Sequence, residues 1–150
     1  MINARSETVE TKPSYRQVFL KQRCIIPMSS FYEWKTLKDS KLPMRIKMKS
    51  DNVFGVAGLW ETWKGSEGKP VHSCTILTTE ANSLVKDIHD RMPVTLTREH
   101  EKQWLDLSLH DKDILKSFLV PFDAALMEEF SVSSEVNSPK NNHVGLLNSL

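Results

Sequence analysis

Leu42-Pro43-Met44-Arg45-Ile46-Lys47-Met48-Lys49 is the stretch on which the fold class turns. Apolar and basic residues alternate one for one, so Met44, Ile46 and Met48 fall on one face and Arg45, Lys47 and Lys49 on the other. A period of two belongs to a strand with one face on a core, and the spacing predicts a solvated basic stripe on the opposite face. Asp51-Asn52 reads as a turn, and Val53-Phe54-Gly55-Val56-Ala57-Gly58-Leu59-Trp60-Glu61-Thr62-Trp63 as the hairpin partner of that strand. Gly55 and Gly58 mark a bulge or a close backbone approach within it.

Upstream, Cys24-Ile25-Ile26-Pro27-Met28 and Phe31-Tyr32-Glu33-Trp34-Lys35 are β-prone runs, and Pro13 opens a helix whose face carries Tyr15, Val18, Phe19 and Gln22. Downstream, Val71 to Thr79 reads as a strand. Ala81, Leu84, Val85 and Ile88 then follow a helical period that ends at His89-Asp90-Arg91, because Met92 precedes Pro93 and must be extended. Helices are expected over Thr97–Leu107 and Asp111–Leu119, and a last strand over Phe130–Val136. Strands outnumber helices without regular alternation. The expected class is α+β: a mixed, mostly antiparallel bent sheet or partial β-barrel with peripheral helices.

The 150 residues are 39% hydrophobic and 26% charged, with 20 Lys plus Arg against 19 Asp plus Glu and two cysteines. A chain of this kind reads as one soluble globular domain that buries about 68–70% of its unfolded surface, which excludes disorder, a membrane span and a disulfide framework. The first residues carry no secretory signal, so the expected compartment is the cytoplasm. Cys24 and Cys74 read as reduced thiols in strands, and the four tryptophans (34, 60, 63 and 104) as core. Charge is unevenly spread. Residues 12–49 hold ten Lys or Arg and two acids, whereas residues 99–135 hold nine acids and three lysines. A basic half suits a polyanion partner or simply a solvated face.

No GxxxxGK[ST], GxGxxG, HExxH or GxSxG segment occurs, which removes the usual support for nucleotide, dinucleotide, zinc-protease and α/β-hydrolase chemistry; no metal or other cofactor is expected. Taken singly, His89 reads as a helix-end imidazole, Glu33 as a surface carboxylate and Asn3 as a terminal residue. At a helix C-terminus the dipole would favour the imidazolium by about 0.3–1 kcal/mol and suit His89 to proton donation.

Their combination reads differently. Asn3-Ala4-Arg5-Ser6-Glu7-Thr8, Arg23-Cys24-Ile25-Ile26-Pro27, Phe31-Tyr32-Glu33-Trp34, Ala57-Gly58-Leu59-Trp60, Thr78-Thr79-Glu80-Ala81-Asn82 and His89-Asp90-Arg91-Met92-Pro93-Val94 occur in this order, with Val132-Ser133 to Val136-Asn137 near the end. Together they closely resemble the SOS response-associated peptidase family, the abasic-site processing proteins. The resemblance spans 1–144 as one such domain and leaves 145–150 as a tail.

The resemblance implies a protein of the DNA damage response that binds single-stranded DNA. In that family a cysteine exposed by autoproteolytic removal of the initiator methionine closes a thiazolidine on an abasic-site aldehyde. The family is thus a hydrolase toward itself, with lyase and DNA-crosslinking chemistry toward the strand. Its catalytic helpers map onto Asn3, Glu33 and His89. Asn3 would position the terminal amine or sugar, Glu33 would exchange protons during imine and ring formation, and His89 would protonate the departing sugar oxygen or assist reversal. Arg5, Arg91 and Thr78 map onto DNA contacts. The implied partner is single-stranded DNA with abasic sites, with no membrane, and the implied location is cytoplasmic, on the nucleoid when DNA is bound.

Family members place about a third of the domain, beginning Met-Cys-Gly-Arg, before the Asn-Ala-Arg segment. The expectation is an N-terminally truncated member without the nucleophile, since a thiazolidine needs amine and thiol on one residue and the amino groups of Cys24 and Cys74 are in peptide bonds. The alternatives are a noncatalytic single-stranded DNA-binding module, a fragment completed by a partner that supplies the missing segment, and an unrelated hydrolase using Glu33 and His89.

Overall fold

In the computed structural model, which describes residues 2–150, the elements run β1 (Asn3–Arg5), α1 (Val18–Lys21), β2 (Arg23–Met28), β3 (Ser30–Thr36), β4 (Lys41–Met48), β5 (Phe54–Lys64) and β6 (Pro70–Glu80), followed by β7 (Arg91–Pro93), α2 (Arg98–Leu105), α3 (Lys112–Ser117) and β8 (Met127–Ser131). The class is α+β, with few helices and open sheets rather than a closed barrel among the described residues. The chain forms two compact units.

The first unit comprises residues up to Pro27, Phe54–Glu80 and Pro93–Phe122. Its sheet has the order β1-β6-β5-β2, with β1 parallel to β6 and β5 antiparallel to β6. The core gathers Ala4, Phe19, Leu59, Leu77, Trp104 and Leu115 with their neighbours, and the rings of Phe19 and Trp104 stand 5.9 Å apart. Arg23 is buried at the centre of a set of carbonyls. Its Nε donates to Trp104 O at 2.7 Å, and its terminal nitrogens reach Phe19, Leu20, Asp106 and Leu109. The two glycines of β5 do mark a close approach: a Cβ on Gly58 would lie 2.8 Å from Ile26 Cδ1, and one on Gly55 2.6 Å from Glu101 Oε1. Helices α2 and α3 start where the sequence predicts. The Thr97 hydroxyl accepts from His100 N–H, and the Asp111 carboxylate from the N–H groups of Asp113 and Ile114.

The second unit comprises Met28–Val53, Ala81–Met92 and Asp123–Leu150. Its sheet has the order β3-β4-β8 and is antiparallel throughout, with Glu33 opposite Met44 and Trp34 opposite Pro43. Met44, Ile46 and Met48 are buried, as their alternation predicts.

Several expectations are corrected here. Residues 53–63 are not the partner of β4: both edges of β4 are taken by β3 and β8, and β5 pairs with β6. The β3–β4 connection is a tight turn closed by Leu37 N–H to Ser40 O at 2.9 Å, whereas after β4 the chain reverses through Asp51 in the left-handed region, φ 56°. Loop length does not make the choice, because β5 begins soon after β4 and β8 far along the chain; long-range pairing of β5 with β6 and of β4 with β8 decides it. The helix expected from Ala81 is a set of hydrogen-bonded turns. Asn82 Oδ1 accepts from Val85 N–H at 3.0 Å, a side-chain substitute for a helical first turn, yet Val85 and Ile88 are buried as the spacing requires. His89 therefore lies after turns, not at a helix end. The last strand ends at Ser131, where Ser133 caps a 3-10 turn over Ser134–Asn137. Helix α1 is one turn long.

The basic stripe is likewise not free. Arg45 donates to Ser30 Oγ at 2.9 Å and to Leu147 O at 2.8 Å; Lys47 is 9% exposed and pairs with Asp51 and Glu128. Trp104 is core, but Trp60 and Trp63 are exposed.

Candidate active site

Strand β3 sets the first of the site residues. Period-two geometry sets Glu33 and Trp34 on opposite faces of β3, and both border one cavity of about 490 Å³ together with Lys41, His89 and Asn137. All five belong to the second unit. The Trp34 indole N–H donates to Asn137 Oδ1 at 2.7 Å and holds the ring as a wall of the cavity. Lys41, the first residue of β4, adds an ammonium with no ion-pair or hydrogen-bond partner among the described residues.

Glu33 is half-buried, and that desolvation pushes its carboxyl above the ordinary glutamate range; His89 opposes the shift and Asp90 reinforces it. A carboxyl raised in this way keeps its proton to higher pH than an exposed glutamate does. His89 Nδ1 is held by the Arg91 main chain, with its backbone N–H at 3.0 Å, and by Asp90, whose Oδ1 lies 3.3 Å away. The Arg91 carbonyl also lies 3.2 Å from Nδ1, and in the neutral tautomer whose Nδ1–H faces these two oxygens the lone pair is on Nε2, the nitrogen available for exchange with a substrate. A carboxyl raised by burial and an imidazole oriented through its other nitrogen form an acid–base couple.

The remaining expected residues are placed as follows. Arg91 stands two positions after His89 in the same unit, half-buried, and orients the imidazole through its main chain. Asn3, Arg5 and Thr78 belong to the first unit. Asn3 and Arg5 flank buried Ala4 on the exposed face of β1, and the parallel register sets Arg5 beside Thr78, whose hydroxyl lies 3.4 Å from Ala4 O. Among the described residues no group of three or more His, Cys, Asp or Glu stands ready for a metal ion, and no helix is long and apolar enough to cross a membrane.

The family model for SOS response associated peptidase (SRAP) matches residues 1–139. The chain belongs to the SRAP family. It is 57% identical over 150 residues to the abasic site processing protein YoqW of Bacillus subtilis, covering 99% of this chain and 67% of that one. It is 29% identical over 161 residues to the abasic site processing protein HMCES of Xenopus tropicalis, covering 93% of this chain and 47% of that protein. A crystal structure of a protein from Bacteroides thetaiotaomicron superposes with a TM-score of 0.91 at 33% identity, over 99% of this chain and 66% of that one. The SRAP chain described here thus spans about two-thirds of the length of its Bacillus relative.

Two residues of the SRAP cavity escape a reading of the sequence. Lys41 is one basic residue among the ten between 12 and 49, and Asn137 stands out only as part of the Val136-Asn137 motif. Neither carries a local signal that ties it to Glu33.

Proposed function

We propose that this chain recognises and processes abasic sites in single-stranded DNA as part of the DNA damage response. The observation that carries the reading is the cavity shared by Glu33 and His89 in a chain 57% identical to an abasic site processing protein. An abasic deoxyribose interconverts between a ring hemiacetal and an open aldehyde, and each interconversion needs one proton delivered and one removed. Glu33, raised by burial, delivers a proton to the ring oxygen, while His89 exchanges one through Nε2. Trp34 offers a flat aromatic face to a flanking base.

Arg5 and Arg91 hold phosphates, Thr78 adds a hydroxyl contact, and Asn3 positions the sugar through its amide; such contacts confer affinity without sequence preference. The protein acts in the cytoplasm and on the nucleoid when bound to DNA. Cys24 and Cys74, each with its amino group in a peptide bond, take no part in a thiazolidine.

Fluorescence anisotropy with labelled strands tests the reading. Tighter binding to a single strand with one abasic site than to the intact strand or its duplex is expected, and Glu33→Gln and His89→Ala should slow any conversion of the aldehyde. Equal affinity for all three DNAs overturns the reading. Abasic preference with no conversion in any variant leaves a noncatalytic binding module.

A further inference from the structure

We propose that Lys41 is a nucleophile of this cavity, forming an imine with the open aldehyde of an abasic site and opening a β-elimination route that cuts the strand. The inference rests on the reading above and adds a second kind of chemistry to it. Lys41 is the one lysine that lines the cavity, with Glu33, Trp34, His89 and Asn137. Two other lysines of the same unit are engaged elsewhere, since Lys47 pairs with Asp51 and Glu128 and Lys49 donates to Ala125 O at 2.8 Å; what sets Lys41 apart from the rest is its place on the cavity wall. Lys41 has no such partner among the described residues, so nothing must be broken for its amine to reach a carbonyl carbon. The tight Leu37–Ser40 turn and the pairing of Lys41 with Thr36 anchor its backbone at the mouth of the β3–β4 hairpin.

The groups needed for the reaction surround it. The Lys41 ammonium gives up a proton to bulk water and the neutral amine adds to the aldehyde carbon; a proton passes from nitrogen to the oxygen, and the resulting carbinolamine loses water to give the iminium. Glu33, protonated, supplies the proton that departs with that water. The iminium then acidifies the sugar C2′–H. His89 in its neutral form accepts that proton, the electron pair forms the C2′–C3′ double bond, and the C3′–O bond breaks with release of the 3′ phosphate. Water hydrolyses the unsaturated imine and returns Lys41. No oxidant, reductant or metal enters the balance.

The test is borohydride reduction of the full chain mixed with a single strand carrying one abasic site, followed by denaturing electrophoresis and peptide mass mapping. A strand carrying the tetrahydrofuran analogue, which has no aldehyde, is run alongside and its binding followed by anisotropy. A trapped band with the abasic strand, none with the analogue, and the added mass on the peptide containing Lys41 are expected, with the band lost in Lys41→Arg when scored per bound strand. Mass on another lysine or on the chain's α-amino group, or binding of both strands with no trapped band, overturns the role of Lys41 while leaving the parent reading intact. Failure to bind either strand overturns both.

Discussion

The indole N–H of Trp34 and the amide oxygen of Asn137, 103 positions apart in sequence, meet at 2.7 Å and hold one wall of the cavity shared by Glu33 and His89. Trp34→Ala removes the wall itself, and loss of about 1–3 kcal/mol in single-strand affinity is expected from the forfeited stacking. Asn137→Ala frees the ring and is expected to cost about 1 kcal/mol, the worth of one hydrogen bond. Anisotropy titrations of the two variants check both. A larger loss for Asn137→Ala than for Trp34→Ala would contradict the wall assignment.

Glu33 predicts a pH dependence of stability with a definite sign. Its carboxyl titrates above the ordinary glutamate range in the folded chain, so the folded state binds the proton more tightly than the unfolded one. The stabilisation from that proton is fully present below the unfolded pKa and is lost as pH rises through the folded value. Glu33→Gln resembles the protonated form at every pH. Urea denaturation should find the variant equal to the native chain in acid and more stable than it at neutral pH.

Arg23 predicts the largest loss of stability. It is 3% exposed and donates to five main-chain carbonyls. Arg23→Met leaves those acceptors without their charged donor. With hydrogen bonds to a charged group worth about 1.5–3 kcal/mol each, a loss of roughly 3 kcal/mol or more is expected even after relaxation. Hydrogen exchange should accelerate first in α1 and at the end of α2, whose carbonyls the guanidinium gathers.

Gly58 predicts a rescue. An added Cβ would meet Ile26 Cδ1 at 2.8 Å and Cys24 Sγ at 3.0 Å. Gly58→Ala is expected to cost about 1–3 kcal/mol by overpacking. Ile26→Val removes the facing methyl, so the double variant should be less destabilised than the sum of the two singles, which thermal melts in a double-mutant cycle measure.

Arg45 and Lys47 predict stability effects instead of DNA effects. Both side chains are already engaged, the Arg45 guanidinium by the neutral acceptors Ser30 Oγ and Leu147 O and Lys47 in ion pairs with Asp51 and Glu128. Arg45→Gln and Lys47→Gln are expected to lower the melting temperature and leave the salt dependence of strand binding unchanged. Arg5→Gln should lower the slope of log K against log salt by about 0.7, as for one phosphate contact on a single strand.

The strand at 42–48, the α+β class, the N-caps at Thr97 and Asp111 and the tight approach at Gly58 were all legible in the residues, because each depends on contacts a few positions away or on the fixed period of the backbone. The burial of Val85 and Ile88 was legible too, although the turns that carry them were not: apolar spacing reports which side chains go inward, and Asn82 then competes for the backbone hydrogen bonds that a helix would need. The candidate residues Glu33 and His89 stood out through ordered motifs. That they share a cavity, that Lys41 and Asn137 complete it, that β4 takes β3 and β8 as neighbours, and that the basic stripe is engaged by Glu128 and the Leu147 carbonyl were decided by tertiary structure alone. These are pairings between positions tens of residues apart. A one-dimensional pattern specifies which face a side chain takes, whereas its partner across that face is selected only when the sheets pack.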